Sequence, residues 1–277
     1  SRFSGIDQNC RDEGQRSKRE IMSIPDIQSQ PDTRKITIDK VGVKGIRYPI
    51  VVQDRENGIQ HSVADLDIYV ELPHQRRGTH MSRFLEVLNR YHTEVFIDKL
   101  DSFLNELKST LKADTAYIDI SFPFFIKKQA PVSKVVSLLG YDCFFNASYN
   151  NNFELWIGVK VPVTTLCPCS KAISVSGAHN QRSEIFIKVR YREFVWLEEL
   201  IQLAEEHSSC EIFPLLKRSD EKFVTDKAYS NPKFVEDIVR EITMELNKDK
   251  RITGFYVEAE NFESIHAHNA YALISRI

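Results

Sequence analysis

The order of hydrophobic patterns along the chain is the feature that most constrains its fold. In the first half, apolar residues alternate with a period of two at residues 46–52 and 64–72, which predicts two strands. Residues 81–113 then carry helical spacing, and we expect two helices there. Residues 117–126 and 135–145 return to the strand pattern.

The second half repeats this order. We predict strands at 153–163 and 184–191, helices at 194–206 and 232–246, and strands at 252–259 and 270–274. Asn231 is the expected N-cap of the second of these helices, with Pro232 in its first turn. The alternation favours mostly antiparallel sheet with helices on one face, an α+β fold made of two ββααββ-like modules.

Composition divides the chain into three parts. Residues 1–35 are polar and show no apolar period, which predicts a flexible N-terminal tail. Met22 is a candidate for the natural start, which would make residues 1–21 an added leader. A polar, turn-forming run at residues 149–152 predicts the boundary between a first module, 36–149, and a second module, 150–277.

Charge and hydropathy exclude several classes of protein. The 277 residues are 42% hydrophobic, enough to bury a sizeable core. A net charge of −2 argues against a dedicated nucleic-acid binder. No apolar run approaches the roughly 18 residues that a membrane span needs. The five cysteines are sparse and odd in number, so we expect reduced thiols in a cytoplasmic protein.

Two short segments almost a hundred residues apart gather unusual side chains. The first holds Cys167, Cys169 and His179, and the second holds Glu263, His266 and His268. Two thiols, three imidazoles and a carboxylate are the donor set of a catalytic transition-metal site with its general acid and base. Side chains two residues apart share a face but diverge, so we expect one thiolate as a ligand and the other as its neighbour. The second module should carry most of this chemistry.

Each candidate also has an ordinary structural interpretation. A lone cysteine is usually a small buried hydrophobe, and we interpret Cys10, Cys143 and Cys210 in this way. His179 could be a solvent-facing loop residue, and the histidines at 266 and 268 could belong to a polar turn. The charged run at 217–222 is typical of a solvated face. The basic loop at 76–80 contains a glycine that could let a phosphate approach backbone amides.

At these residues the chain resembles the type IB GTP cyclohydrolase family. The resemblance runs in order from about residue 24 to the end and includes Leu-Cys-Pro-Cys-Ser at 166–170, Gly-Ala-His-Asn-Gln-Arg-Ser at 177–183 and Glu-Asn-Phe-Glu-Ser-Ile-His at 260–266. Further matching segments lie at 24–33, 78–84, 121–125, 215–221 and 228–237.

The resemblance implies a fold, a reaction and an assembly. The fold is the tunnelling fold, or T-fold, in which two ββααββ-like modules pair with other subunits into a barrel, typically a homotetramer. The reaction is the hydrolysis of GTP to 7,8-dihydroneopterin triphosphate and formate, the first step of folate and pterin biosynthesis. It also implies one divalent metal ion per site (zinc, manganese or iron), with ligands Cys167, His179, Glu221 and His266.

The residue types agree with that chemistry. A metal lowers the pKa of bound water to roughly 7, and opening the guanine imidazole ring needs proton donors, for which Cys167, Cys169, His266 and His268 are the catalytic candidates. An ionised Glu263 can accept two N–H bonds from a guanine edge. The triphosphate needs cationic or donor groups, and with Glu263 the substrate-binding candidates are His80, Arg83, Arg182 and Lys217.

Two other functions compete with this hypothesis. One is a non-catalytic, metal-stabilised oligomer that binds a purine or a pterin. The other is a nicotinamide-dependent nitrile reductase on the same fold, which uses a cysteine nucleophile and needs no metal. The mixed set of one cysteine, two histidines and a glutamate disfavours the reductase, and formate release from GTP would separate the enzyme from the binding protein.

Overall fold

The computed structural model describes residues 26–91 and 96–277. Its strands are β1 Ile38–Asp54, β2 Gly58–Leu72, β3 Ala116–Gln129, β4 Val136–Tyr149, β5 Phe153–Leu166, β6 Asn180–Tyr191, β7 Cys210–Glu211, β8 Ile252–Asn261 and β9 Ala270–Arg276. Its α-helices are α1 Met81–Leu88, α2 Leu100–Leu111, α3 Pro168–Ile173, α4 Leu197–Glu206, α5 Arg218–Ser230 and α6 Val235–Lys248, and short 3₁₀ turns cover Asn89–Tyr91 and Phe96–Lys99.

All of these strands belong to one antiparallel sheet. Their spatial order is β1-β2-β3-β4-β5-β6-β8-β9, and the two-residue strand β7 pairs with β5 beside this path. Every predicted strand is present, and the strands extend a few residues beyond the predicted bounds. The predicted α+β class with a large antiparallel sheet is therefore confirmed.

The register of the sheet separates a buried face from an open one. Leu66 pairs with Ile120, which pairs with Phe145, and the row continues through Ile157, Val189 and Phe255. All six side chains are buried. Because successive residues of a strand face opposite sides, the neighbouring row faces away from the core, and it consists of Asp67, Asp119, Asn146, Trp156 and Arg190.

Helices cover the buried face with apolar stripes at helical spacing. Helix α2 buries Leu100, Phe103, Leu104, Leu107 and Leu111. Helix α6 buries Val235, Ile238, Val239, Ile242 and Leu246, and it packs against β8 and β9. These residues and the buried rows of the sheet form one hydrophobic core.

The predicted module boundary falls in the turn at residues 150–152, between β4 and β5. These two strands pair across the boundary, from Tyr149 with Phe153 to Asp142 with Lys160. The two predicted modules therefore contribute to one sheet and one core.

The predicted flexible tail, residues 1–35, lies mostly outside the described residues, as does the candidate start at Met22. Its last ten residues are described, and several are held by backbone hydrogen bonds. The N–H groups of Arg77 and Gly78 donate to the carbonyls of Gln30 and Gln28, and the N–H of Asp32 donates to Gln75. Residues 28–32 are thus fastened to the loop between β2 and α1.

One expectation in the second half needs correction. Asn231 was expected to cap the helix that follows it, but it is the C-cap of α5, and α6 begins at Val235. The backbone N–H of Asn231 bonds to the carbonyls of Lys227 and Ala228, and its side-chain amide donates to Ser208. The charged run at 217–222, interpreted above as a solvated face, is exposed except for Asp220, and it forms the start of α5. In the described part of the chain, no helix is long and apolar enough to cross a membrane.

Candidate functional site

Cys167 lies where strand β5 ends and the short helix α3 begins. Its Sγ accepts a hydrogen bond from the backbone N–H of Ser170 at 3.4 Å. Pro168 takes the first helical position, where a missing N–H group costs no hydrogen bond. The sulfur of Cys167 is therefore held at a helix start. Cys169 follows on α3 and is exposed to solvent.

His179 lies beside Cys167 because strands β5 and β6 pair. Leu166 pairs with Asn180, and the backbone N–H of Cys167 donates to the carbonyl of His179 at 3.1 Å. The N–H of His179 in turn donates to the hydroxyl of Ser170 at 3.2 Å. The sheet register thus brings together the two predicted ligands of the first motif.

The imidazole of His179 has two acceptors on one side. Its Nδ1 lies 3.1 Å from Gln181 Oε1 and 4.0 Å from Glu263 Oε2. Both the histidine and the glutamate side chains are largely buried, at 15% and 12% exposure. A proton on Nδ1 directed at the Gln181 carbonyl leaves Nε2 as the free lone pair, which is the form that binds a metal or accepts a proton.

A buried chain of polar side chains continues from Gln181 into the sheet. Gln181 Nε2 donates to Thr165 Oγ1 at 2.8 Å, and the hydroxyls of Thr165 and Ser183 are 2.7 Å apart. The hydroxyl of Ser183 donates to Asn261 Oδ1 at 2.7 Å. All four side chains are buried, so each hydrogen bond offsets the cost of removing a polar group from water.

Arg182 and helix α5 border a cavity of about 290 Å³ beside these strand ends. Thr164 and Asn180 line it from β5 and β6, and Val224, Thr225 and Ala228 line it from α5. Glu221 lies three, four and seven residues before these helical residues, so it shares their face of the helix. Arg182 therefore lines the cavity, and Glu221 lies on the same face of α5 as three of the lining residues.

Asp220, which the sequence did not single out, is the buried side chain of the α5 start. It is fully buried, and Lys217 before it and Glu221 after it are exposed. Burial alone would raise the pKa of Asp220, but hydrogen bonds from the side chain and backbone of Ser133, and from the backbones of Lys217 and Val132, hold this pKa well below its ordinary value. The two acidic residues in the first turn of a helix were the available sequence signal.

The remaining candidates are less closely grouped. The rings of His266 and His268 stack with centroids 5.2 Å apart in the exposed loop between β8 and β9. His80 lies just before α1 with its Nε2 3.2 Å from Asp26 Oδ2, and Arg83 lies on α1. Within residues 26–91 and 96–277, no three His, Cys, Asp or Glu side chains are arranged to hold a metal ion. The four-ligand set therefore stays a prediction.

A larger cavity, of about 540 Å³, lies at the opposite end of the same strands. Asn150, Asn151, Arg190 and Arg192 are among its lining residues, and it contains none of the predicted site residues. Arg190 is already paired with Glu154. Most of the chemistry-bearing side chains thus lie at the other end, around the ends of β5 and β8, the start of β6, and helix α5, which packs against β5 and β7.

The chain is similar to known proteins over most of its length. Residues 24–272 match the family described as Type I GTP cyclohydrolase folE2. The chain is 55% identical over 253 residues to GTP cyclohydrolase FolE2 of Geotalea uraniireducens, covering 91% of this chain and 93% of that protein. It is also 55% identical to GTP cyclohydrolase FolE2 of Geobacter sulfurreducens, covering 91% and 98%.

The chain belongs to the GTP cyclohydrolase FolE2 family. Among solved structures, a highly active mutant of Bacillus sp. TB-90 urate oxidase is similar to it with a TM-score of 0.50. The likeness covers 86% of this chain and 99% of that one at 9% sequence identity, so it shows a similarity of fold alone. The FolE2 match includes the ends of β5, β6 and β8 and the whole of α5.

The buried polar chain predicts a specific stability effect. Thr165→Val keeps the side-chain shape but removes the hydroxyl between Gln181 and Ser183, which leaves two buried polar groups short of a partner. We expect the free energy of unfolding to fall by about 1–3 kcal/mol, measured by urea unfolding. Thr164→Val, one residue along the strand, is the matched control and should change it by less. Equal stability of the two variants would contradict the chain's role.

Proposed function

We propose that this chain hydrolyses GTP to 7,8-dihydroneopterin triphosphate and formate, the first step of folate and pterin biosynthesis. Membership of the GTP cyclohydrolase FolE2 family and identities above 50% to proteins with that name support the proposal. The structural observation that carries it is the meeting of Cys167, His179 and Glu263 at the paired strand ends. We further propose that the enzyme acts in the cytoplasm.

We propose one divalent metal ion per site, held by Cys167, His179, Glu221 and His266. Cys167 Sγ and His179 Nε2 fit such an ion, because the ring's other nitrogen is already directed at Gln181 and the sulfur lies at the adjacent strand end. Thiolate, imidazole and carboxylate donors suit zinc, iron or manganese. When bound, the metal supplies a Lewis acid that lowers the pKa of water to roughly 7.

Glu263 and the basic residues would bind the nucleotide. The Glu263 carboxylate, ionised, accepts N–H bonds from N1 and the exocyclic amine of guanine, a donor pair that adenine lacks. Arg182 lines the cavity and Lys217 precedes α5, so both can approach a triphosphate there. His80 and Arg83 belong to the start of α1 and complete the proposed set.

The remaining steps are proton transfers at the guanine ring. Opening the imidazole ring requires protons on the departing nitrogens, and a histidine that is not bound to the metal can supply them. His268 lies beside the proposed ligand His266 in the loop that follows Glu263, which suits His268 to this role. Cys169, exposed two residues after Cys167, is the remaining catalytic candidate.

We also propose that the protein adopts the tunnelling fold and closes a barrel as a homotetramer. The single sheet has two edge strands, β1 and β9, that pair with a neighbour on one side only. The β3–β4 hairpin exposes Val132, Val136 and Leu138 at 48%, 57% and 61%. Strand edges and exposed apolar side chains of this kind are typical of surfaces that pair with other subunits.

The metal assignment predicts the effect of removing one ligand. Cys167→Ala should abolish formate release from GTP and lower the bound zinc, manganese or iron, with the fold retained in circular dichroism. Cys143→Ala makes the same chemical change at a buried thiol of β4 and should keep both metal and turnover. Wild-type turnover in Cys167→Ala would refute the assignment. A metal-loaded wild type that releases no formate would favour the purine-binding or pterin-binding oligomer, and a wild type without bound metal that releases no formate would favour the nitrile reductase chemistry.

Base recognition predicts a selective loss at Glu263. Glu263→Gln places an amide donor against a guanine donor, so kcat/KM for GTP should fall by roughly 10²–10⁴-fold with metal content unchanged. ATP should not be a substrate of the wild type. Glu260→Gln, three residues earlier at a side chain that accepts from Asn269, is the control and should stay near wild type. Near-normal kinetics of Glu263→Gln would move base recognition to another residue.

Assembly can be measured independently of activity. Light scattering at micromolar concentration should give the mass of four chains, because the open strand edges favour pairing with further copies. Replacing Leu138 by Lys on the β3–β4 hairpin should weaken the assembly if this surface is part of the interface. A fully active monomer would count against the proposed tetramer.

A further inference from the structure

Asp220 is a fully buried carboxylate with hydrogen bonds in two directions. Its Oδ1 accepts from the backbone N–H groups of Val132 and Ser133, both at 2.8 Å. Its Oδ2 accepts from the Ser133 hydroxyl at 2.5 Å and from the backbone N–H of Lys217 at 2.9 Å. One side chain thus joins the start of α5 to the β3–β4 turn, which lies almost ninety residues earlier in the chain.

This arrangement exceeds what helix capping requires. Helix capping by Asp220 uses only its bond from the Lys217 N–H. The other three bonds belong to the β3–β4 turn, and removing a charged group from water is costly unless such partners replace its hydration. Asp220 therefore links two distant segments, the start of α5 and the β3–β4 turn. The start of α5 carries Lys217 and Glu221, two residues of the proposed site.

The other end of α5 is held by separate contacts. Lys227 forms an ion pair with Glu211 of β7, and the Asn231 side chain donates to the carbonyl of Ser208. Loss of the Asp220 contacts would therefore loosen the first turn of α5 while the rest of the helix stays anchored. Lys217 and Glu221 both lie in or beside that first turn.

We propose that Asp220 is a positioning residue for the active site. It fixes the first turn of α5 against the β3–β4 turn, and so it holds Glu221 on the cavity-lining face of the helix and Lys217 at its edge. The inference rests on the proposed function, in which Glu221 binds the metal and Lys217 binds the triphosphate. Asp220 itself takes no part in binding the metal or the triphosphate.

Asp220→Asn tests this role because it keeps the shape of the side chain. The amide oxygen can still accept from the backbone of the β3–β4 turn, but the amide nitrogen then faces the Lys217 N–H, a donor against a donor. We expect apo protein reloaded with zinc or manganese to bind the metal 10–100-fold more weakly, measured by competition with a chromophoric chelator. We also expect kcat for formate release to fall and KM for GTP to rise.

Glu199→Gln is the matched control for simple destabilisation. Glu199 occupies the third position of α4, where it accepts from the Trp196 N–H at 3.2 Å and pairs with Arg251. This variant loses helix-start contacts comparable to those of Asp220 at a place that does not line the cavity. We expect it to lower the thermal midpoint as Asp220→Asn does, with wild-type metal affinity and kinetics.

Ser133→Ala supplies a milder test if Asp220→Asn does not fold. It removes one donor to Asp220 and leaves three, so a smaller loss of metal affinity, about threefold, is expected. Wild-type affinity in the folded Asp220 variant, or in Ser133→Ala when that variant alone folds, would overturn the inference. An equal loss in Glu199→Gln would also overturn it. A wild type that binds no metal and releases no formate would instead refute the proposed function on which the inference rests.

Discussion

The register of the sheet is the constraint on which the rest of the structure depends. A shift of one residue between two strands would exchange their buried and open faces. The row from Leu66 to Phe255 is apolar across six strands, whereas the next row carries charges and aromatic rings. Any slipped pairing would therefore bury charges and expose the core, at a cost larger than the net stability of a typical domain.

The same register builds the candidate site at one end of the strands. Moving along the buried face, the row Val161, Ile185 and Ala259 is apolar, the row Val163, Ser183 and Asn261 is mixed, and the pair Thr165 and Gln181 is polar. The polar side chains satisfy one another, and the last of them is directed at His179. The transition from core to site therefore takes two rows, and the strand pairing that buries the core also orients the imidazole.

The sequence predicted those parts of the fold in which one face is buried and the other is not. Period-two alternation located all eight long strands, and apolar stripes located α2 and α6. Helix α5 was not predicted, because its only buried side chains are Asp220 and Ala228 and it therefore has no apolar stripe. The capping expectation for Asn231 was wrong because the carbonyls at the end of α5 use its N–H, and the next helix starts at Val235. Both errors concern helix α5 and its C-terminal end.

The candidate site divides into a half fixed by the sheet and a half fixed by other contacts. Cys167, His179 and Arg182 take their places from strand pairing, so the sequence could name them only by motif and not by proximity. Glu221 lies on a helix fastened by Asp220, and His266 and His268 lie in an exposed loop, so no local pattern sets their positions. In the proposed enzyme, Asp220 holds the first turn of α5 in place, so ordering the exposed loop of His266 and His268 is the step that would draw on the free energy of ligand binding. The strand pairing and the Asp220 contacts therefore limit that cost to one loop.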